Sequence, residues 1–223
     1  MAELNVRCSL THSSRLLPAV RGVLEPLGLA PGDVELFAVA AGPGSFTGMR
    51  IGIATMQGLA LANGKPLVGI SALDAIHEAV SSQRSVSSAP ADLRPVREIA
   101  VWMDAQRGQV FSALYKDSAL LEPALADKPA DILARWAHRK IRPALFAGDG
   151  ALFYQSVIRD ADPEVGIIEP PPLAPSIAAL GEAALRARGA STPDEIRPIY
   201  VRRSDAELVR DGKTVLPVST APE

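Results

Sequence analysis

Residues 35 to 41, Glu-Leu-Phe-Ala-Val-Ala-Ala, form a nearly continuous apolar run that leads directly into Gly-Pro-Gly-Ser-Phe-Thr-Gly at 42 to 48. An apolar run without alternation is what a strand covered on both faces requires, as in a parallel or mixed sheet. The glycine loop turns the chain out of that strand. From Ser45 or Thr47 a helix is expected to about Asn63, with Met49, Ile53, Met56 and Ala60 on one stripe. A strand, a glycine turn and a helix N-terminus in succession point to an α/β fold.

The loop admits two readings. Free N–H groups and the helix dipole make such a turn an anion site, with Gly42, Gly44, Ser45 and Thr47 around the anion. The specific phosphate motifs are not met, however. Gly48 is followed by Met49 where a Walker loop has Lys, and the third glycine comes one residue too late for the dinucleotide fingerprint. On the structural reading Gly42 and Gly44 supply unusual backbone angles, and Ser45 or Thr47 caps the helix. Gly48 and Gly52 then thin the helix surface for close contact with another helix.

The rest of the chain continues the alternation. "THSSRLLPAVRGVLEPLG" sets Leu16, Val20, Val23 and Leu27 at helical spacing and stops at Gly28. "KPLVGIS" reads as a strand and "ALDAIHEAV" as a helix. Residues 3 to 10 read as a short strand carrying the one cysteine, Cys8, as a buried thiol. Residues 81 to 97, rich in Ser, Pro and Arg, read as a linker. Beyond it come a hairpin around Gly108, a strand "ALFAGDGA" followed by a helix, a strand at "VGIIEP", and a helix "SIAALGEAALRARG" capped by Ser176 and Gly189. These boundaries imply a first lobe at 1–97, a second at 98–203 and a loose tail at 204–223. The length of 223 residues accommodates two small cores. The net charge of −2 argues against a chain that wraps nucleic acid by itself. With a single cysteine and no membrane-length apolar run, the expected setting is cytoplasmic.

The segment "GPGSFTGMRIGIATMQGLALANGKPLVGISALDAI" resembles the signature of the TsaB (YeaZ) family of tRNA threonylcarbamoyladenosine biosynthesis. "HSSRLLPAV", "WMDAQRGQVFSALY", "FAGDGA" and "RPIYVRR" extend the resemblance, in order, over most of the chain. It implies a two-lobed fold of the actin, Hsp70 and sugar-kinase kind, and a non-catalytic subunit without cofactor or metal. The implied partners are a TsaD-type subunit, which transfers threonylcarbamoyl to the adenosine beside the anticodon, and a TsaE-type ATPase, with tRNA met only through the complex. The family's pairing by two helices from each partner implies an interface at His12, Leu16, Val20, Gly48, Met49, Arg50, Gly52, Ile53 and Met56. The same surface can pair with a second copy of the chain. The family usually opens with a strand of the Ile-Leu-Ala-Ile-Asp-Thr-Ser type. No such segment precedes "ELNVRCSL", so the first lobe is expected to be truncated at its N-terminus.

Catalytic alternatives rest on few residues. His12, His77 and His138 are scattered and form no spaced pair of metal ligands. Asp104 ends a strand, as a general base or as a turn residue. Asp149 in "AGDGA" resembles a phosphate-binding turn. Together with the loop at 42–48 it would serve an ATP-dependent phosphotransferase, the rival reading. A peptidase, the second rival, would need a nucleophile, His and carboxylate set, and the sequence shows none.

Overall fold

A computed structural model describes residues 2–6, 12–86, 98–189 and 192–202. The chain divides into two compact units, one comprising 1–78 with 172–199 and the other 79–171 with 200–223.

The first unit is organised by the apolar run. Strand β1 (Phe37–Gly42) pairs in parallel with β2 (Leu67–Ser71), Phe37 opposite Leu67 and Ala38 opposite Val68. Parallel neighbours need a crossover, and helix α2 (Phe46–Ala62) supplies it. Because side chains alternate along a strand, Phe37, Val39 and Leu67 face α2. There they meet Met56 and Ala60, and Leu16 from α1 (His12–Leu24) packs on the same cluster. Val68 and Ile70 point the other way, toward α7 (Ala174–Arg188), which brings Ile177, Leu180 and Ala184. A Cβ on Gly181 would lie 2.7 Å from Cβ of Ala38. The missing side chain is what lets α7 sit directly on β1. Helix α3 (Ala72–Val86) follows β2 without a loop and crosses the division between the units.

The second unit holds a five-stranded mixed sheet in the order β5-β4-β3-β6-β7. Strands β3 (Glu98–Asp104), β4 (Val110–Lys116) and β5 (Ala119–Asp127) run antiparallel, and β6 (Leu145–Ala147) and β7 (Gly166–Ile168) join parallel to β3. Helix α4 (Pro129–His138) connects β5 to β6, and α5 (Asp149–Phe153) and α6 (Gln155–Ala161) connect β6 to β7. One face of the sheet closes over Trp102, Trp136, Phe146, Ile132 and Ile158. The Trp102 and Phe146 rings meet edge to face at 5.0 Å, a geometry that aromatic quadrupoles favour.

Several sequence expectations change here. The last helix and the stretch to Ile199 group with the first unit rather than the second, because α7 covers the outer face of β1 and β2. Helix α3 runs on to Val86, so residues 81–86 are helical rather than linker; 87–97 lie outside the described residues. Residues 2–6 carry no regular structure, and the remainder of the expected first strand, with Cys8, also lies outside them, as does the expected tail at 204–223. Ser176 is not the N-cap of α7. Leu173 occupies that position and Ser176 is buried inside the first turn. Strand β5 and helix α4 have no counterpart in the sequence reading. Pro123 at the centre of β5 removes a ladder donor, and an edge strand tolerates that loss.

Candidate functional site

The glycine loop ends β1 in the first unit. Gly42 has φ of 119° and sits where a Cβ would fall 2.5 Å from Sδ of Met49 and 2.8 Å from the carbonyl oxygen of Ile199. The Ile199 N–H donates to the Ala41 carbonyl at 2.7 Å. The segment from Pro193 to Ile199 is therefore strapped against the loop. Gln57 of α2 holds the same strap, its Nε2 donating to the carbonyls of Pro193 (2.8 Å) and Ile196 (3.1 Å). Ser45 is the N-cap of α2 and accepts from the Gly48 N–H at 3.3 Å, while Thr47 is exposed. Of the candidate anion residues in the loop, Gly42 and Ser45 thus carry structural duties, Gly44 lies on the bend before α2 and Thr47 in the first turn of that helix.

Asp149 lies in the second unit. Its Oδ1 accepts from the N–H of Asp104 at 3.2 Å and from that of Gly150 at 2.8 Å, which ties the start of α5 to the end of β3. The flanking glycines are demanded by contact. A Cβ on Gly148, at φ 117°, would meet the Trp102 carbonyl oxygen at 2.1 Å, and one on Gly150 would meet the Met103 carbonyl carbon at 2.6 Å. Asp104 in turn accepts from the backbone and side-chain amides of Gln106. That residue and Arg107 carry positive φ ahead of Gly108 in the β3–β4 turn. Tyr154 is pushed above the usual tyrosine pKa, first by burial and then by the Asp104 carboxylate. Among the described residues no three His, Cys, Asp or Glu side chains gather as metal ligands.

The expected interface residues divide by exposure. Ile53 is buried, and Met56 is buried against Phe37 of β1 and Leu67 of β2, so neither is available to a partner. Leu16 and Val20 are half-buried, Leu16 on that same core. His12 begins α1, with its side chain outside the described residues. Gly48, Met49 and Gly52 are partly accessible and Arg50 is exposed, its guanidinium 3.9 Å from the centre of the Phe46 ring. A Cβ on Gly52 or Gly58 would meet nothing within 4 Å. The outward stripe of α2 is Thr47, Ala54, Gly58 and Leu61, and Leu17 stands exposed on α1. The sequence reading does not include Leu17, Ala54 and Leu61. The signal was present in the spacing of 54, 58 and 61, which falls on one helical face opposite Ile53, Met56 and Ala60.

The family model described as "TsaD: tRNA N6-adenosine threonylcarbamoyltransferase" matches residues 6–207. The tRNA threonylcarbamoyladenosine biosynthesis protein TsaB of Bacillus subtilis is 30% identical over 215 residues, covering 93% of this chain and 86% of that protein. The protein of the same name from Escherichia coli is 34% identical over 109 residues, 49% of this chain and 43% of that one. In three dimensions the chain is similar to YeaZ from Pseudomonas aeruginosa, with a TM-score of 0.66 at 22% identity, over 86% of this chain and 85% of that one. That likeness shows a shared α/β fold. The chain belongs to the TsaB (YeaZ) family, within the group that the threonylcarbamoyltransferase model describes.

Proposed function

We propose that this protein is a non-catalytic scaffold in tRNA threonylcarbamoyladenosine biosynthesis, and that it docks a TsaD-type subunit through α1 and α2. One observation carries the reading. Arg50 is the single charged residue on the 17-residue helix α2, yet the helix exposes Phe46, Ala54, Gly58 and Leu61. A helix apolar all round is normally buried. Leu61 is 58% exposed and Leu17 on the neighbouring α1 45%, so the two helices together present an apolar, glycine-thinned surface that a pair of foreign helices would bury. A TsaE-type ATPase joins the assembly on this reading, and tRNA is met through the complex.

The test is co-elution of the purified chain with a TsaD-type subunit. Leu61→Glu combined with Leu17→Glu should abolish the complex and leave circular dichroism unchanged, since both side chains point to solvent. Retained co-elution would sink the docking role. The chain alone should show no ATP turnover with Mg²⁺. Turnover lost on Asp149→Ala would instead establish the phosphotransferase.

A further inference from the structure

A cavity of about 490 Å³ opens in the second unit between α4, α6 and the connection at 139–144. Its accessible walls are apolar, formed by Leu133, Ala137, Ile141 and Ala161, with the buried Trp136, Phe146 and Ile158 packed behind them. Its rim is charged: Lys140, Arg142 and Asp162 line the mouth. These charges are not equally committed. The Asp162 carboxylate accepts from the Glu164 N–H at 3.2 Å and shapes the turn after α6. Of the arginines on α4 and at its end, Arg139 is paired with Glu122 and Arg135 with Glu122 and Asp127. Lys140 and Arg142 are exposed and make no ion pair among the described residues.

The position of Lys140 is a second, independent observation. Helix α4 ends in a Schellman arrangement, with the Ile141 N–H on the Trp136 carbonyl (2.9 Å) and the Lys140 N–H on the Ala137 carbonyl (3.0 Å). The arrangement puts Lys140 at φ 58°, the left-handed position that glycine normally fills. Lysine there is less stable than glycine would be, and it sets an ammonium at the mouth of an apolar cavity.

We propose that this cavity binds a small amphipathic anion. Its apolar body would lie against Leu133, Ala137 and Ile141, and its carboxylate between Lys140 and Arg142. The volume falls in the range of small-molecule sites, roughly 300–1,000 Å³, which are largely apolar with few convergent polar groups. The site is independent of the docking helices and of the function proposed above.

Decanoate is the probe, titrated into the full chain by calorimetry and by tryptophan fluorescence, with decanol as its uncharged counterpart. Decanoate should bind once per chain and at least tenfold more tightly than decanol, with an affinity that falls as NaCl is raised. Lys140→Gln with Arg142→Gln should weaken it at least tenfold at an unchanged melting temperature. Ala137→Phe, which fills the mouth from an exposed position, should remove binding of both probes. Lys140→Gly should weaken decanoate while raising the melting temperature by a few degrees, on the order expected for relieving one strained residue. The proposal is overturned by no saturable binding of decanoate, by equal affinity for decanol, or by an unchanged constant in either the double or the mouth-filling variant.

Discussion

Two glycines of the first unit predict opposite outcomes for one substitution. Gly52 on α2 and Gly181 on α7 both lie mid-helix. Leucine has the higher helix propensity, so each replacement gains roughly 0.5–1 kcal/mol from the backbone. At Gly52 nothing opposes that gain, because a Cβ there meets no heavy atom within 4 Å. Gly52→Leu should therefore melt at or slightly above the parent. At Gly181 the first added atom would stand 2.7 Å from Cβ of Ala38, and three more must follow it into the α7–β1 contact. Overpacking of this kind costs about 1–3 kcal/mol or more, enough to cancel the propensity gain and lower the melting temperature by several degrees at ~2–4 °C per kcal/mol. Binding should show the reverse order. Gly52 lies off the outward stripe of Thr47, Ala54, Gly58 and Leu61, so binding responds only where the partner helix also covers its side of α2; there the leucine holds the two apart at a similar overpacking cost, a loss of about 5- to 150-fold in Kd. Gly181→Leu, far less stable but with an unaltered α2 face, should bind normally below its melting point. Thermal denaturation and calorimetric titration of a TsaD-type subunit measure both quantities. Unchanged affinity of a folded Gly52→Leu chain would refute a docking face at this glycine, and an unchanged melting temperature for Gly181→Leu would refute the α7 packing.

Further outcomes follow from the second unit. Glu122→Ala should destabilise by about 1–3 kcal/mol in urea, chiefly by leaving the buried Trp136 indole N–H without its 2.7 Å acceptor. Arg139, 47% exposed, regains water and adds little, while the buried Arg135 Nη2 beside Glu122 adds to the loss; Glu122→Gln keeps an acceptor for the indole and should cost markedly less, and equal losses would contradict this account. Gly150→Ala should cost at least ~2 kcal/mol, because the methyl group meets the β3 backbone at 2.6 Å and a strand inside the sheet cannot give way. Equal urea midpoints for parent and variant would refute that contact. Tyr154 is held neutral by burial and by Asp104, so its folded pKa exceeds the unfolded one. Stability from this group is complete below pH ~10 and is lost as pH rises through the folded value. Tyr154→Phe should flatten that alkaline fall in melting temperature, and an equally steep fall in the variant would show that Tyr154 is not its source.

Local pattern carried much of the fold. The unbroken run 35–41, the Ser45 cap, the helix stripe of Ile53, Met56 and Ala60 and the turn at Gly108 each follow from neighbours in sequence, because cap, period and turn are short-range properties. The family followed from the order of the motifs along the chain. Strand β5 was not legible, since Glu122 and Pro123 deny it a strand pattern and only its edge position beside β4 makes the proline acceptable. The unusual backbone angle at Gly42 was legible, but the contacts that demand the glycines were not. Gly42, Gly148 and Gly150 stand in loops that look like phosphate cradles, yet each is required by a backbone brought close from elsewhere: Ile199, Trp102 and Met103. The sequence determined that α2 is apolar almost throughout. Tertiary packing decided which apolar residues are core and which face outward, because the β1–β2 pair takes Met56 and Ala60 against Phe37 and Leu67 and leaves Ala54, Gly58 and Leu61 to solvent.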